Sequence, residues 1–364
     1  MRLTLSDVGT LPPPAPQPAP RGRQPVHTVY VPADRFTAGT VSHWGQEALA
    51  LVKAHLPGPE ELAAVFGVPV EPAQAVHPRV VAKLAAEPVE DLRIDFEDGY
   101  GRRPGEEEDR HVVAAAEAVG RMHEAGTLPR RWGLRVKSFA DDAARSVRTL
   151  DGFLTELGTP PPGFTVTFPK VLEESYVHRF AELLGRLGPD LRFELQVEDP
   201  RTLTFLRGDL CERLSAAHFG VFDYTAALGL PPHEQRLDHP ACDHARHVMQ
   251  TAFAHTPVEL SDGSLAAAPA SGRAEDVHAL WARHASLVRH SLAHGFYQGW
   301  DMHPSHLVSR FATVYAFHLA TYDEYAARVR AWEEQRQVGG VMDEPATVRT
   351  LAAALRRADS ALGR

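Results

Sequence analysis

Residues 192–203 read RFELQVEDPRTL, and residues 218–229 read HFGVFDYTAALG. In each stretch an apolar run leads to an acid, Glu198 in the first and Asp223 in the second, 25 residues apart. That spacing is about one strand, one helix and the next strand of a β/α unit, so both carboxylates are expected at the same rim of a parallel sheet. Two carboxylates on such a rim point to a hard divalent cation. Mg²⁺ prefers oxygen ligands and takes one or two carboxylates from a protein, which leaves positions for water and substrate. The plainer alternative for either acid is a helix cap or a solvated strand end.

Outward from this stretch the alternation repeats. VHTVYVPA (26–33), LRIDFEDGYG (92–101), WGLRVKSF (132–139) and GFTVTFPKV (163–171) precede it as strand candidates. PVELSDG (257–263) and GFYQGWDMHPSHL (295–307) follow it. Between them, helical spacing of apolar residues predicts two or three short helices over 45–85 and single helices over 106–126, 240–255 and 274–294. Eight strand candidates alternating with helices, without an internal repeat, predict an α/β fold, a (β/α)₈ TIM barrel, rather than an open sheet. Residues 307–333 and 345–360 read as further helices, so a C-terminal helical extension is expected over 311–364 and the barrel over 26–310. Residues 1–25 contain LPPPAPQPAPRGRQP, whose prolines favour an extended, solvated arm.

Active sites of such barrels lie at the carboxyl ends of the strands, and the chemistry-bearing residues fall there. In DFEDG, Asp95 and Glu97 alternate with Leu92, Ile94 and Phe96, and Asp98 opens a turn completed by Gly99. Three acids in four residues are costly to crowd without a cation or strong donors; a solvated turn is the bland alternative. In RVKSF, Arg135 and Lys137 share a strand face that is expected to look toward the barrel centre or mouth, where a guanidinium can clamp a carboxylate or pair with the DFEDG acids. Lys170, after Pro169, reads as a charge-stabilising group, a Schiff-base nucleophile or a structural ion-pair partner. SLAAAPASG (264–272) has the composition of a mobile loop or a linker.

Composition narrows the class. A net charge of −9 and a pI near 6.1 argue against nucleic-acid and membrane-surface partners, so local arginines must meet any anionic substrate. Two distant cysteines, Cys211 and Cys242, make a disulfide framework or thiolate zinc site unexpected and fit a reducing cytoplasm. No apolar run approaches the ~20 residues of a membrane span. The twenty histidines are scattered, without HExxH or similar ligand spacing, and read mostly as surface or capping residues.

Taken in order, VPADR, DFEDG, RVKSF, TFPKV, QVEDPRTL, FGVFDYTAALG and GFYQGWDMHPSHL resemble the metal-dependent family of HpcH/HpaI aldolases and citrate lyase beta chains, with malate synthases as more distant relatives. The resemblance covers about residues 26–310. It implies that Glu198 and Asp223 hold Mg²⁺ or Mn²⁺ and that Arg135 binds the substrate carboxylate. It further implies that Glu97 and Asp98 lie near the metal or move protons. Lys170 matches the lysine of the family's PK motif. Asp95, Gly220 of the FGVFD motif and His303 of the late HP motif fall to substrate binding. The chain departs from the family in WDMHP, in an aromatic-Asp-Tyr order closer to malate synthase, in a longer segment between strands one and two, and in lacking an obvious basic cluster for a coenzyme A diphosphate.

The resulting expectation is a divalent-metal-dependent carbon–carbon lyase, acting on a small 2-oxo acid or related carboxylate through a metal-stabilised enolate, in a homo-oligomer. The base could be Asp98, Glu97 or a metal-bound water. Three rivals remain: a Claisen condensation or lyase reaction on an acyl-CoA thioester, a Schiff-base aldolase using Lys170 or Lys137, and a non-catalytic protein that binds a small oxo acid.

Overall fold

A computed structural model describes residues 22–334 and 344–363. The expected proline-rich arm therefore lies, up to residue 21, outside the described residues. The strands are β1 (His27–Pro32), β2 (Asp91–Asp95), β3 (Arg131–Arg135), β4 (Phe164–Phe168), β5 (Phe193–Val197), β6 (Leu214–Phe219), β7 (Glu259–Ser261) and β8 (Gly299–Asp301). All pair in parallel in the order β7-β6-β5-β4-β3-β2-β1-β8. A parallel bridge between Ser261 and Gln298, with Asp262 N–H donating to Gln298 O at 2.8 Å, joins the two ends. The fold is the expected (β/α)₈ TIM barrel.

The connecting helices are α1 (Thr40–His55), α2 (Pro59–Phe66), α3 (Val70–Ala86), α4 (Gly105–Glu124), α5 (Phe139–Leu157), α6 (Glu174–Leu187), α7 (Pro200–Leu203), α8 (Val221–Ala227), α9 (Pro240–Phe253), α10 (Ala274–Ala293), α11 (Pro304–Glu333) and α12 (Pro345–Leu362). Local chemistry sets many of their ends. Ser138 caps α5 by accepting from Ala140 N–H, and α4 opens on Glu106, Glu107 and Glu108, where the helix dipole favours negative charge. Gly67, at φ 62°, ends α2 in the left-handed region that glycine enters without a Cβ clash.

Two expectations change. The helix between β5 and β6 is only the single turn of α7, because Asp199 caps it and Pro200 starts it but no apolar face extends beyond it. The boundary expected at residue 310 falls inside α11, a 30-residue helix whose buried first half, from Pro304 to Tyr315, packs as the last helix of the barrel. The extension is the rest of α11 with α12 folded back on it, where Tyr322 OH donates to Asp359 at 2.7 Å. Among the described residues no helix is long and apolar enough to cross a membrane.

Strand alternation divides the core in two. Leu92, Ile94, Trp132, Leu134, Val166, Phe168, Phe193 and Leu195 are fully buried and belong to the apolar core beneath the helices; Phe168 stacks on Phe180 of α6 at 4.2 Å. The opposite parity carries Thr28, Asp91, Arg93, Thr167, Glu194 and His218, also buried. Barrel interiors are usually filled by branched aliphatic residues; here a polar network fills one. Arg93 donates to both oxygens of Glu194, at 2.8 and 2.6 Å, and to Thr167 at 3.0 Å, and also pairs with Asp91. Removing one member would strand a buried charge. This network lies beneath the carboxyl ends of the strands.

Candidate active site

Above that network lies a cavity of about 440 Å³ lined by the strand ends. Asp95 from β2, Arg135 from β3, Glu198 after β5 and Gly220 after β6 reach it, with Asp98 from the turn after β2 and Asp223 from the first turn of α8. Glu198 and Asp223 therefore face one space, as the β/α spacing predicts. Tyr30, Trp300, Arg35, Ser264 and Met302 also line it, and sequence reasoning gives none of them a role, although Arg35 stands within the VPADR motif and Trp300 and Met302 within WDMHP. Parity carries a signal for two of them: Tyr30 alternates with the buried Val29 and Val31, and Trp300 stands one residue before the strand-end acid Asp301. Their rings pack at 4.5 Å, and Trp300 Nε1 donates to His218 Nδ1 at 3.2 Å, which ties the wall to the polar core below.

The 95–99 turn is built around Asp95. Its Oδ1 accepts from Glu97 N–H at 2.9 Å and Arg135 Nε at 2.7 Å; its Oδ2 accepts from Gly99 N–H at 2.9 Å and Arg135 Nη2 at 2.6 Å. Asp95 lines the cavity, and both its oxygens accept hydrogen bonds from the turn and from Arg135. Gly99 is required here, since a Cβ would fall 2.6 Å from Asp95 Oδ2. Arg135 lies 4.9 Å from the Tyr30 ring centroid, and its Nη1 is 3.3 Å from Glu97 Oε2. Arg135 thus pairs with the DFEDG acids and lines the cavity.

Lys137 does not share that direction. β3 ends at Arg135, and the lysine ammonium donates to Phe96 O at 2.7 Å and Glu108 at 2.9 Å, toward α4. Nor does His303 line the cavity: it caps α11, accepting from Ser305 N–H at 3.2 Å. Lys170 adopts φ 49°, unusual for a residue with a Cβ, and this turns its N–H onto Glu198 Oε2 at 3.1 Å. Its ammonium pairs with Glu97, lies 2.6 Å from Asp98 and stands 3.8 Å from Asp223. Burial pulls the lysine pKa down, but the charges and hydrogen bonds of Glu97 and Asp98 outweigh it and leave the amine held above its ordinary range. A Schiff-base nucleophile needs the opposite shift.

The carboxylates are tuned apart. Burial, then the charges of Glu97 and Asp223, push Glu198 up to about 8, although Arg135 and Lys170 pull it down. Burial raises Glu97 to about 7, with Asp98 adding to the shift against Arg135 and Lys170. Burial also raises Asp223. Asp98 goes the other way: burial alone would raise it, but the Lys170 hydrogen bond and charge hold it below the usual carboxylate range. Four carboxylates, Asp95, Asp98, Glu198 and Asp223, thus line the cavity with the buried Arg135 and the exposed Arg35, while Glu97 stands beside it, paired with Arg135 and the half-buried Lys170. Gly220 is what lets Glu198 sit here, since a Cβ would come within 2.3 Å of its Cγ.

A family profile described as a domain of unknown function, DUF6986, matches residues 16–361. The chain belongs to that family. No curated protein matches the sequence of this DUF6986 member. Among solved structures its barrel is similar to protein CitE from Mycobacterium tuberculosis in complex with magnesium and acetate, at 17% identity and TM-score 0.50, covering 92% of this chain and 97% of that one. It is also similar to Haloferax volcanii malate synthase in a lead(II) complex, at 14% identity and TM-score 0.51, covering 79% and 85%. The same malate synthase in a pyruvate/acetyl-CoA ternary complex aligns at 13% identity and TM-score 0.50, covering 79% and 85%. At these identities the likeness is one of fold.

Proposed function

We propose that this DUF6986 protein is a divalent-cation-dependent enzyme that cleaves or forms a carbon–carbon bond next to a 2-oxo acid, of the aldolase type found in the HpcH/HpaI and citrate lyase beta-chain family. The observation that carries this reading is Glu198. It is a buried carboxylate that accepts one backbone N–H, has its pKa raised to about 8, and shares its cavity with Asp223. Such a site is short of positive charge, and the oxygen donors present suit Mg²⁺ or Mn²⁺. Glu198 and Asp223 would hold the ion, and the CitE and malate synthase structures with magnesium or lead support that assignment by analogy of fold. When bound, the cation supplies Lewis-acid stabilisation of the charge that develops on the 2-oxo group.

The chain's own residues do the rest. Arg135, held by Asp95 and stacked on Tyr30, presents fixed positive charge toward the substrate carboxylate without reorganising during reaction. Arg35, exposed at the rim, is in position to receive a second anionic group of the substrate. In the cleavage direction the substrate hydroxyl loses its proton, its carbon becomes a carbonyl, and the bond electrons pass to the carbon beside the oxo group, which is then protonated. Glu97, with a pKa of about 7, can take and return that proton near neutrality, while Asp98 stays ionised against Lys170.

A second reading, Claisen-type condensation on an acyl-CoA, would draw on a neighbouring cleft of about 260 Å³ where Arg102, Arg103, Lys137 and Arg145 gather with Glu97, Asp98, Glu108, Asp141 and Asp142, Arg102 being the cation there that pairs with no carboxylate among the described residues. No linear run of bases announces it; the fold assembles it from the 101–103 turn, the segment after β3 and α5. The deciding experiment strips metal from the protein and assays pyruvate, oxaloacetate, glyoxylate and their aldol products, with and without coenzyme A esters. Activity that vanishes in EDTA and returns with Mg²⁺ or Mn²⁺ is expected; full turnover in strong chelator refutes the proposal. A requirement for a thioester selects the second reading. Saturable oxo-acid binding with no product selects a binding protein instead.

A further inference from the structure

On the outer wall of the barrel, α9 and α10 bring together three donors that take no part in the mouth. Asp243 on α9 and His290 and His294 on α10 each offer one ligand atom, and these atoms all lie within 4.8 Å of one another. His290 Nε2 is 2.8 Å and His294 Nε2 3.6 Å from Asp243 Oδ1, and the two imidazole rings lie 4.4 Å apart. His290 and His294, in HSLAH, are one helical turn apart and so share a face of α10. This corrects the expectation that the histidines lack ligand spacing, since two imidazoles four residues apart on a helix have the spacing of HExxH. His247, one turn beyond Asp243 on α9, brings a third imidazole to 5.6 Å from the His294 ring.

His294 directs its lone pair inward, while His290 Nε2, 2.8 Å from Asp243 Oδ1, carries a proton that a bound cation would displace. His294 Nδ1 lies 2.9 Å from the carbonyl oxygen of His290, which can only accept, so Nδ1 carries the proton. In the neutral ring the lone pair is then on Nε2, directed at the carboxylate. Two acceptors facing each other at 3.6 Å repel unless positive charge stands between them. A backbone carbonyl that fixes the tautomer of a histidine is also the usual outer support of a metal-bound imidazole. Asp243 Oδ1 accepts from Arg246 Nη1 at 2.6 Å as well, and a carboxylate has two oxygens with which to bridge a guanidinium and a cation.

We infer that Asp243, His290 and His294, with His247 completing the set, form a second cation site whose imidazoles select a borderline transition ion such as Zn²⁺ or Co²⁺ over Mg²⁺. Ligands around a tetrahedral zinc stand roughly 3.3 Å apart, given Zn–ligand distances of about 2.0–2.1 Å, so donors already within 4.8 Å need only rotamer adjustment. The ion would clip α9 to α10, the helices flanking the segment that carries Ser264 and Ala266 to the cavity. The other grouping of this kind, buried His284, Asp301 and His306, differs in that both oxygens of Asp301 are engaged, Oδ1 with Arg310 Nη2 at 2.8 Å and Oδ2 with His27 at 3.0 Å, whereas Asp243 meets Arg246 and His290 through Oδ1.

The test uses the full chain after chelation. Co²⁺ titration followed by visible absorption should give one tetrahedral site per chain that persists in Glu198→Gln and weakens roughly tenfold or more in His290→Ala and His294→Ala. In the unmutated protein, Zn²⁺ should shield His290 and His294 from diethylpyrocarbonate, read by peptide mass spectrometry; this arm stands even if a variant fails to fold. Tetrahedral binding unchanged by both histidine variants, or labelling unaffected by Zn²⁺, would overturn the site and leave a plain carboxylate–imidazole ion pair.

Discussion

Replacing Glu198 with glutamine should stabilise the metal-free protein while abolishing its response to divalent cation, the reverse of what a structural glutamate would do. The carboxyl is 6% exposed and is pushed up to about 8 by burial and then by Glu97 and Asp223. Because its folded pKa lies above the ordinary 4.5, the stability it contributes is fully present below pH ~4.5 and is lost as pH rises through about 8. Between those limits the linkage amounts to ~5 kcal/mol, at ~1.4 kcal/mol per pH unit. At pH 7 the unfolded carboxyl is ionised and the folded one still largely protonated, so the difference is roughly 3 kcal/mol. Glutamine carries no such penalty. Urea unfolding in EDTA should therefore find Glu198→Gln more stable than the unmutated chain by about that amount at pH 7 and nearly equal near pH 4.5. Adding Mg²⁺, which the imidazole site between α9 and α10 disfavours, should raise the midpoint of the unmutated chain alone. A variant that is less stable at pH 7, shows the same gap at both pH values, or still gains stability from Mg²⁺ would refute the reasoning.

Two further outcomes are expected. Gly220→Ala places a Cβ 2.3 Å from Glu198 Cγ and 2.7 Å from Oε1, so the carboxylate must move by about an ångström; displacements of that size cost roughly 10²-fold in rate. Turnover and Mn²⁺ affinity should fall together while the circular dichroism spectrum is kept, and Mn²⁺ affinity within twofold of the parent would contradict this. His306 is lowered to about 3 by burial and then by the charge of His284, so its contribution is present above pH ~6.5 and is lost as pH falls toward 3. At pH 5 that loss is about 2 kcal/mol, and His306→Asn should flatten the acid limb of stability against pH; an unchanged limb would show that other groups govern it.

The β/α alternation is legible in the sequence because strand parity and helical periodicity are local properties, and parallel strands bring their carboxyl ends to one rim whatever the helices do. Hence the spacing of residues is enough to gather Glu198, Asp223, Arg135 and the DFEDG acids at one end of the barrel. The same locality explains the misreadings. Lys137 continues the strand alternation of β3, but the strand stops at Arg135 and Glu108, from a different helix, draws the ammonium outward. The extension reads as beginning at residue 311 because nothing in the composition of α11 marks where it leaves the barrel.

Partner choice is a property of space, not of spacing. Arg135 and Asp95 are 40 residues apart, Lys170 and Glu97 73, and Asp243 and His290 47, and no periodicity links such positions. The sequence by itself determined that acids and cations would collect at the open end of a barrel, because hydrogen-bonded parallel strands leave no other arrangement. Only the tertiary structure decided which carboxylate each cation neutralises, and so which one, Glu198, is left buried and short of positive charge, because burial and Coulomb energy depend on distances that folding alone creates.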